Sequence, residues 1–282
     1  MRRAGILRVW ATHGLLVVAS FVAIYPVLWV VKMALTPSQS FDLSANPIPT
    51  SFALDNFEDL VMAQDMAGNW LFAHQFTNSL IVSIVTTALG LGLSTTAAYA
   101  FSRFMFPGRR VGLQLFLVSQ MFPGVVMTIP LYLLLESAGL LDSLSGMALV
   151  YAMTAVPFCT WMLKGIFDTI PRELEEAAVM DGMGRFAIFW RIVLPLARPG
   201  LVVTALFSFM TAWNEFILAA TFLSGPTSFT LPVALQQLVG DHATEWGRFA
   251  AGAVLVSVPV MVLFFALQRH LVGGLTAGSV KG

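Results

Sequence analysis

The sequence predicts an all-α protein embedded in a membrane, and three observations carry that prediction. Of its 282 residues, 57% are hydrophobic and 11% charged, where a soluble domain averages roughly 45–50% and about 25%. The apolar residues gather in six long blocks, and Lys and Arg fall almost wholly in alternate gaps between them. Blocks at about residues 10–33, 79–101, 112–134, 145–166, 200–222 and 249–268 each approach the ~20 residues that a helix needs to cross a hydrocarbon core of ~30 Å.

The first block follows Arg2, Arg3 and Arg8 and so has the charge pattern of a secretory signal. Its apolar run is too long for such a signal and no small-residue cleavage site follows, so it is expected to stay as the first span. Residues 34–78 are mostly polar and contain Pro37, Pro47 and Pro49. They read as a segment outside the membrane, in which Asn56, Trp70 and Phe72 suggest short helical or interfacial pieces. In the second block Gly90, Ser94 and Ala98 recur every four residues, which predicts a face for close helix packing. Pro26, Pro123, Pro130, Pro157 and Pro259 lie within the blocks, where neighbouring helices can satisfy the carbonyls that proline frees.

Basic residues set the expected orientation, because short loops rich in Lys and Arg stay in the cytoplasm. Arg2, Arg3 and Arg8, then Arg103, Arg109 and Arg110, then Lys164, Arg172, Arg185, Arg191 and Arg198, and finally Arg269 and Lys281 all fall on one side. Residues 34–78, 135–144 and 223–247 hold no Lys or Arg, while Lys32 and Arg248 sit at block edges. Both termini are therefore expected in the cytoplasm, with an even number of spans. The expected division is residues 1–70 for the amino terminus, first span and exterior segment, 71–268 for the transmembrane domain, and 269–282 for a cytoplasmic tail.

Several chemistries find no support. The formal net charge is zero, which gives no argument for nucleic acid. Cys159 is the only cysteine, so no intrachain disulfide forms, and its expected role is that of a small buried apolar residue. His13, His74, His242 and His270 are scattered without ligand spacing, and no catalytic triad or carboxylate pair can be placed on one membrane face. No metal, cofactor or catalytic residue is assigned.

The informative stretch is the basic-side loop 167–199. Pro171 suits a first helical turn and Glu173, Glu175 and Glu176 suit the positive end of a helix dipole. Gly182 and Gly184 are expected to turn the chain. Phe186, Phe189 and Trp190 then place an aromatic stripe on a second short helix, which Pro195 and Pro199 end. A helical hairpin with an apolar edge is a shape suited to a partner's groove.

At these residues the chain resembles the permeases of ATP-binding-cassette importers. Their loop pattern is Glu-Ala-Ala, three residues, Gly, nine residues, Ile, one residue, Leu-Pro. Here Glu176, Ala177 and Ala178 precede Gly182 by that spacing, and Ile192, Leu194 and Pro195 follow it. The resemblance implies a type I importer transmembrane domain with six spans. It further implies that the loop docks in a cleft of a separate ATPase subunit, with Glu176, Ala177, Asp181 and Gly182 making the contact. No stretch reads G-x-x-x-x-G-K-[ST], so ATP and Mg are expected on that partner and not here.

Segments 98–108, 120–132 and 271–282 are similar to the maltose and maltodextrin permeases of the same family. That similarity implies a second permease of the maltose-transporter type, two copies of the ATPase subunit, an exterior sugar-binding protein and the lipid bilayer as partners. It also implies that the tail around Gly278, Ser279, Val280 and Lys281 reaches the ATPases, although from residues alone a frayed terminus fits as well. Residues 227–247 resemble the exterior loop that probes the binding protein, which would put Leu238, Val239, Gly240, Asp241 and His242 at its cleft. Asn214 and Glu215 fall inside the fifth block, where an ionisable group is costly. Both a translocation path or subunit interface and a packing hydrogen bond stay open for them. Importers of other sugars or polyols share the loop pattern, and an ion-coupled transporter would need more intramembrane charge than Glu215 supplies.

Overall fold

The computed structural model describes the backbone of residues 2–240 and 244–277 and the side chains of residues 9–240 and 244–268. The described residues form helices and no strands, apart from two isolated bridges, Gln64 with Trp70 and Val239 with Thr244. In order they are α1 (Arg2–Leu35), α2 (Asp55–Val61), α3 (Leu71–Arg103), α4 (Arg109–Ser119), a 3-10 turn (Gly124–Met127), α5 (Thr128–Ser137) and α6 (Leu144–Thr169). They continue with α7 (Glu173–Met180), α8 (Arg185–Ile188), a π-helical turn (Phe189–Val193), α9 (Leu194–Leu196), α10 (Arg198–Asn214), α11 (Ile217–Phe222), α12 (Leu231–Gln236) and α13 (Trp246–Ala277). Among the described residues four helices are by themselves long and apolar enough to cross a membrane, and there are up to six candidate spans when each of two bent pairs, Arg109–Ser119 with Gly124–Ser137 (98°) and Arg185–Leu196 with Arg198–Asn214 (78°), counts as one.

Two predicted spans are not single helices. The block at 112–134 divides into α4 and a second piece, Gly124–Ser137, bent by 98°, with Pro123 at the break. Pro130 falls in the first turn of α5, where its missing N–H costs no helical bond. The block at 200–222 is interrupted as well. Helix α10 has 17 residues, about 25 Å at ~1.5 Å per residue, and its chain turns extended at Glu215, with ψ 130°, before α11 begins.

The chain packs as two compact units. One comprises the residues up to Ala73 together with Ala234–Val258. Its core joins Met33 and Ala34 of α1 to Ala250 and Ala251 of α13, with Trp29, Phe57 and Trp246 around them. Buried Asn56 holds this unit's polar interior. Its amide donates to the carbonyls of Ala34 (3.1 Å) and Thr36 (2.8 Å), and its oxygen accepts from Gln39 Nε2 at 2.6 Å. Gly247 lies against this cluster so closely that a Cβ would stand 2.4 Å from the Ser38 carbonyl oxygen. Replacing Asn56 by Ala leaves three polar groups without their partner, and is expected to cost about 2–3 kcal/mol. Thermal unfolding of the detergent-purified protein checks this, with Asn56→Asp as a milder comparison. Beside it the Lys32 ammonium, 2.5 Å from Asp42, holds that carboxyl down at about 2.

The other unit comprises His74–Val233 and the residues from Pro259 onward. Here the small-residue face of α3 packs as expected. Ser94 and Ala98 are fully buried, and a Cβ on Gly90 would meet Ser208 Oγ at 3.2 Å. Thr86 and Ser94 donate hydrogen bonds across to the α6 carbonyls of Ala148 (3.3 Å) and Val156 (3.2 Å). Small side chains thus bring two backbones within reach of each other's polar groups, the packing that membrane helices use where apolar burial gives little drive. At the start of α3, Gln75 donates to the Pro226 carbonyl, Asn78 to those of Thr227 and Phe229, and Ser79 Oγ accepts from Leu231 N–H. These bonds tie the chain after α11 to α3.

Candidate functional site: a helical hairpin on the ends of α3 and α6

The hairpin between α6 and α10 forms as its residues dictate. Glu173, Glu175 and Glu176 occupy the first turn of α7, where carboxylates meet the positive end of the dipole. The helix ends in a left-handed residue, Gly182 at φ +83°. Gly182 N–H donates to Val179 O (3.0 Å) and Met183 N–H to Ala178 O (2.9 Å), the paired bonds of a Schellman cap. Met183 and Ala178 also pack in the same apolar cluster, the contact that usually accompanies this cap.

Three expectations for the loop need correction. Pro171 lies before α7, not in its first turn. Pro195 does not stop the second helix, because α9 runs through it to Leu196, and Pro199 opens α10. The aromatic residues do not form one stripe. Phe186 and Trp190 are exposed, whereas Phe189 is buried against Tyr99, with ring centroids 4.8 Å apart. Phe186 and Trp190, four apart, share the exposed face with ring centroids 6.0 Å apart, while Phe189, next to Trp190 and so about 100° around the helix, falls on the buried face.

The Glu-Ala-Ala motif itself divides between two faces. Glu176, Ala177, Asp181 and Gly182 are exposed. Ala178 is buried with Leu163, Phe167, Ile188 and Val193, and Ile192 and Leu194 pack against that cluster, with Pro195 half-buried. One half of the pattern therefore offers a surface, and the other half builds the hairpin's core.

Sequence reasoning missed what holds the hairpin in place. Glu175, adjacent to exposed Glu176, turns inward. Its Oε1 lies 2.5 Å from Arg103 Nε, and its Oε2 accepts from the Tyr99 hydroxyl at 2.9 Å. Both charged side chains are largely buried, at 7% and 14% exposure. Arg103 also donates to the Ile170 carbonyl (3.0 Å) at the end of α6. Reciprocally, Arg172 donates to the Ser102 carbonyl (3.1 Å) near the end of α3. Ser102 donates to Asp168 at 2.6 Å, and Asp168 pairs with Lys164. The second arm is held too, since the Arg185 guanidinium sits 5.4 Å over the Phe104 ring. One signal was available: Glu175 and Ala178 are three apart and so share a helix face.

Of the pair Asn214 and Glu215, the structure separates the roles. Asn214 is exposed, its amide donating to Met210 O at 2.9 Å. Glu215 caps α11, accepting from Leu218 N–H (2.9 Å) and Ala219 N–H (3.3 Å), and it takes a hydrogen bond from the buried Tyr151 hydroxyl. Leu238 and Val239 form the neck of a loop, through Glu245 N–H to Leu238 O (3.0 Å) and the Val239–Thr244 bridge. Gly240 beyond them is exposed. Asp241 and His242, and Gly278, Ser279, Val280 and Lys281 of the tail, lie outside the described residues.

Long apolar helices packed through small residues, with a short helical hairpin fastened across two of their ends, define a multispanning membrane protein. The chain belongs to the family of binding-protein-dependent transport system inner membrane components, whose profile matches residues 88–276. Members are permease subunits, not catalysts, and hydrolyse no ATP themselves. Among relatives, the galactooligosaccharides transport system permease protein GanQ of Bacillus subtilis (strain 168) is 37% identical, over 98% of this chain and 96% of that one. The maltodextrin transport system permease protein MdxG of the same strain is 36% identical over 96% and 95%. The trehalose transport system permease protein SugB of Mycobacterium tuberculosis (strain CDC 1551 / Oshkosh) is 34% identical over 97% of each. A solved bacterial ABC transporter involved in the import of the acidic polysaccharide alginate shares the fold, with a TM-score of 0.76 at 21% identity over 95% and 97%.

Proposed function

We propose that the chain is one of two permease subunits of an ATP-driven sugar importer, and that the α7–α9 hairpin takes the stroke of a separate ATPase. The observation that carries this reading is the divided motif: Glu176, Ala177, Asp181 and Gly182 face outward on a hairpin whose other face is packed against α3 and α6. Exposed Phe186 and Trp190 on the second arm add apolar surface of the kind partners cover. The hairpin and both termini lie in the cytoplasm on this reading, supported by the one-sided placement of Lys and Arg. ATP binding closes two ATPase subunits, the hairpins of the two permeases move together, and the spans switch from inward-facing to outward-facing. A second permease and an exterior sugar-binding protein complete the complex, with ATP and Mg held by the ATPases.

For the substrate we infer maltose or maltodextrin, supported by the maltodextrin relative and by the similarity of segments 98–108, 120–132 and 271–282. A galactooligosaccharide is the second reading, favoured by the 37% identity to GanQ. For contact with the binding protein we infer residues 238–242, a reading supported by the similarity of residues 227–247 to the exterior loop of maltose permeases. Asn214, exposed at the end of α10, is the better candidate of the pair at 214–215 for the path or the subunit interface.

Two measurements test this. Ala177→Cys in the assembled complex is expected to crosslink to the ATPase subunit, with a yield that changes on ATP binding; no crosslink in any nucleotide state defeats the docking. Isothermal titration of the cognate binding protein is expected to show tight binding of maltotriose, and binding of galactobiose alone moves the substrate to the second reading.

A further inference from the structure

We propose that Arg103, Glu175 and Tyr99 form a latch that makes the hairpin one rigid body with the ends of α3 and α6, so that a push on the hairpin becomes a movement of the spans. The inference rests on the hairpin being the docking element.

The contacts already described are unequal in what they hold. Exposed ion pairs contribute little, because water and salt screen them. The Arg103–Glu175 pair is different, since both side chains are largely buried and each has further partners, Ile170 O for the arginine and the Tyr99 hydroxyl for the carboxylate. Separating them would leave a buried charge with no partner, which proteins avoid. The latch also joins three segments at once. Arg103 ends α3, Ile170 caps α6, and Glu175 lies in α7, so one guanidinium spans the junction. Apolar contacts of Ala178 and Phe189 alone could slide along the α3 surface. A bidirectional set of hydrogen bonds has one register, and that is the property a lever needs to transmit force without slack. Glu175 and Glu176 thus divide the work: the first fastens the lever, and the second meets the partner. These three are positioning residues, since they touch neither nucleotide nor sugar.

The test uses the complete importer in nanodiscs. Spin labels are placed at Gly165→Cys on α6, an open position, and at Arg191→Cys on the hairpin, an exposed residue outside both the latch and the docking face. In the otherwise unaltered complex the distance is expected to stay single and narrow with and without ATP. Glu175→Gln and Arg103→Gln are each expected to add a second, longer component when ATP binds. The exchanged pair, Arg103→Glu with Glu175→Arg, is expected to restore the single distance. Tyr99→Phe, which removes one of the carboxylate's bonds and keeps the ion pair, is expected to add a smaller second component than either charge variant. An unchanged narrow distance in Glu175→Gln, or a second component in the unaltered complex, overturns the latch. Should the single variants fail to assemble, recovery by the exchanged pair supports the latch and its failure overturns it. The Ala177→Cys crosslink, read separately with the other residues unaltered, keeps the two ideas apart. A crosslink together with a narrow distance in Glu175→Gln sinks only the latch, whereas no crosslink sinks the docking itself.

Discussion

Gly182→Val is expected to leave the protein folded and inserted while lowering ATP-driven transport about tenfold or more. Gly182 stands at φ +83° with no neighbouring atom near the place a Cβ would take. The cost is therefore one of backbone conformation and not of collision. An L-residue held in the left-handed region costs roughly 1–2 kcal/mol, and a β-branched one more. The hairpin can escape that cost by undoing its Schellman cap, which releases the bonds to Ala178 and Val179 and moves the exposed motif face. Since 1.4 kcal/mol is about tenfold in an equilibrium, even a partial escape leaves most molecules with the exposed motif face displaced. A graded series checks the argument. Gly182→Asn, which tolerates the left-handed region, should lose least, followed by Gly182→Ala and then Gly182→Val. Transport falling in that order, while the unfolding temperature of the isolated subunit falls by only about 2–4 °C per kcal/mol of strain, is the expected pattern. An equal loss for Asn and Val would point to side-chain contact instead of backbone geometry.

Glu215→Ala carries the largest expected loss of stability, about 2–4 kcal/mol, with Glu215→Gln losing about half of that. The carboxylate is the acceptor for two N–H groups at the start of α11 and for the hydroxyl of Tyr151, which is 2% exposed. In an apolar surrounding an unsatisfied backbone donor is costly, and Ala offers none of these groups a replacement. Gln keeps one carbonyl oxygen and can hold one or two of the bonds. Fluorescence-monitored thermal unfolding in detergent reads the difference. Asn214→Ala, one residue away and exposed, is expected to be nearly neutral in the same assay. Equal destabilisation by both would show that the break between α10 and α11 is held by something other than the cap.

Where local residues settle the outcome, the structure was legible beforehand. The acidic first turn and the glycines that turn the chain lie within one loop, and they predict the hairpin. The small face at Gly90, Ser94 and Ala98 was legible for the same reason, since its spacing is that of one helix side. The bend between α4 and α5 and the break at Glu215 were not. Apolar composition measures the length of a block, and a bent block has the same composition as a straight one. A carboxylate in a span signals only that some partner exists; which partner, a sugar path or the capped turn of α11, depends on where Tyr151 arrives.

The chain's order of residues by itself determined that it is a membrane protein of several long apolar helices with a helical hairpin between two of them, because hydrophobic length and backbone preference are properties of neighbouring residues. Only the packed helices decided that Glu175 faces inward while Glu176 faces outward. Those two carboxylates are chemically the same, and what distinguishes them is Arg103, which lies 72 residues earlier and comes into reach only when α3 and α6 end side by side.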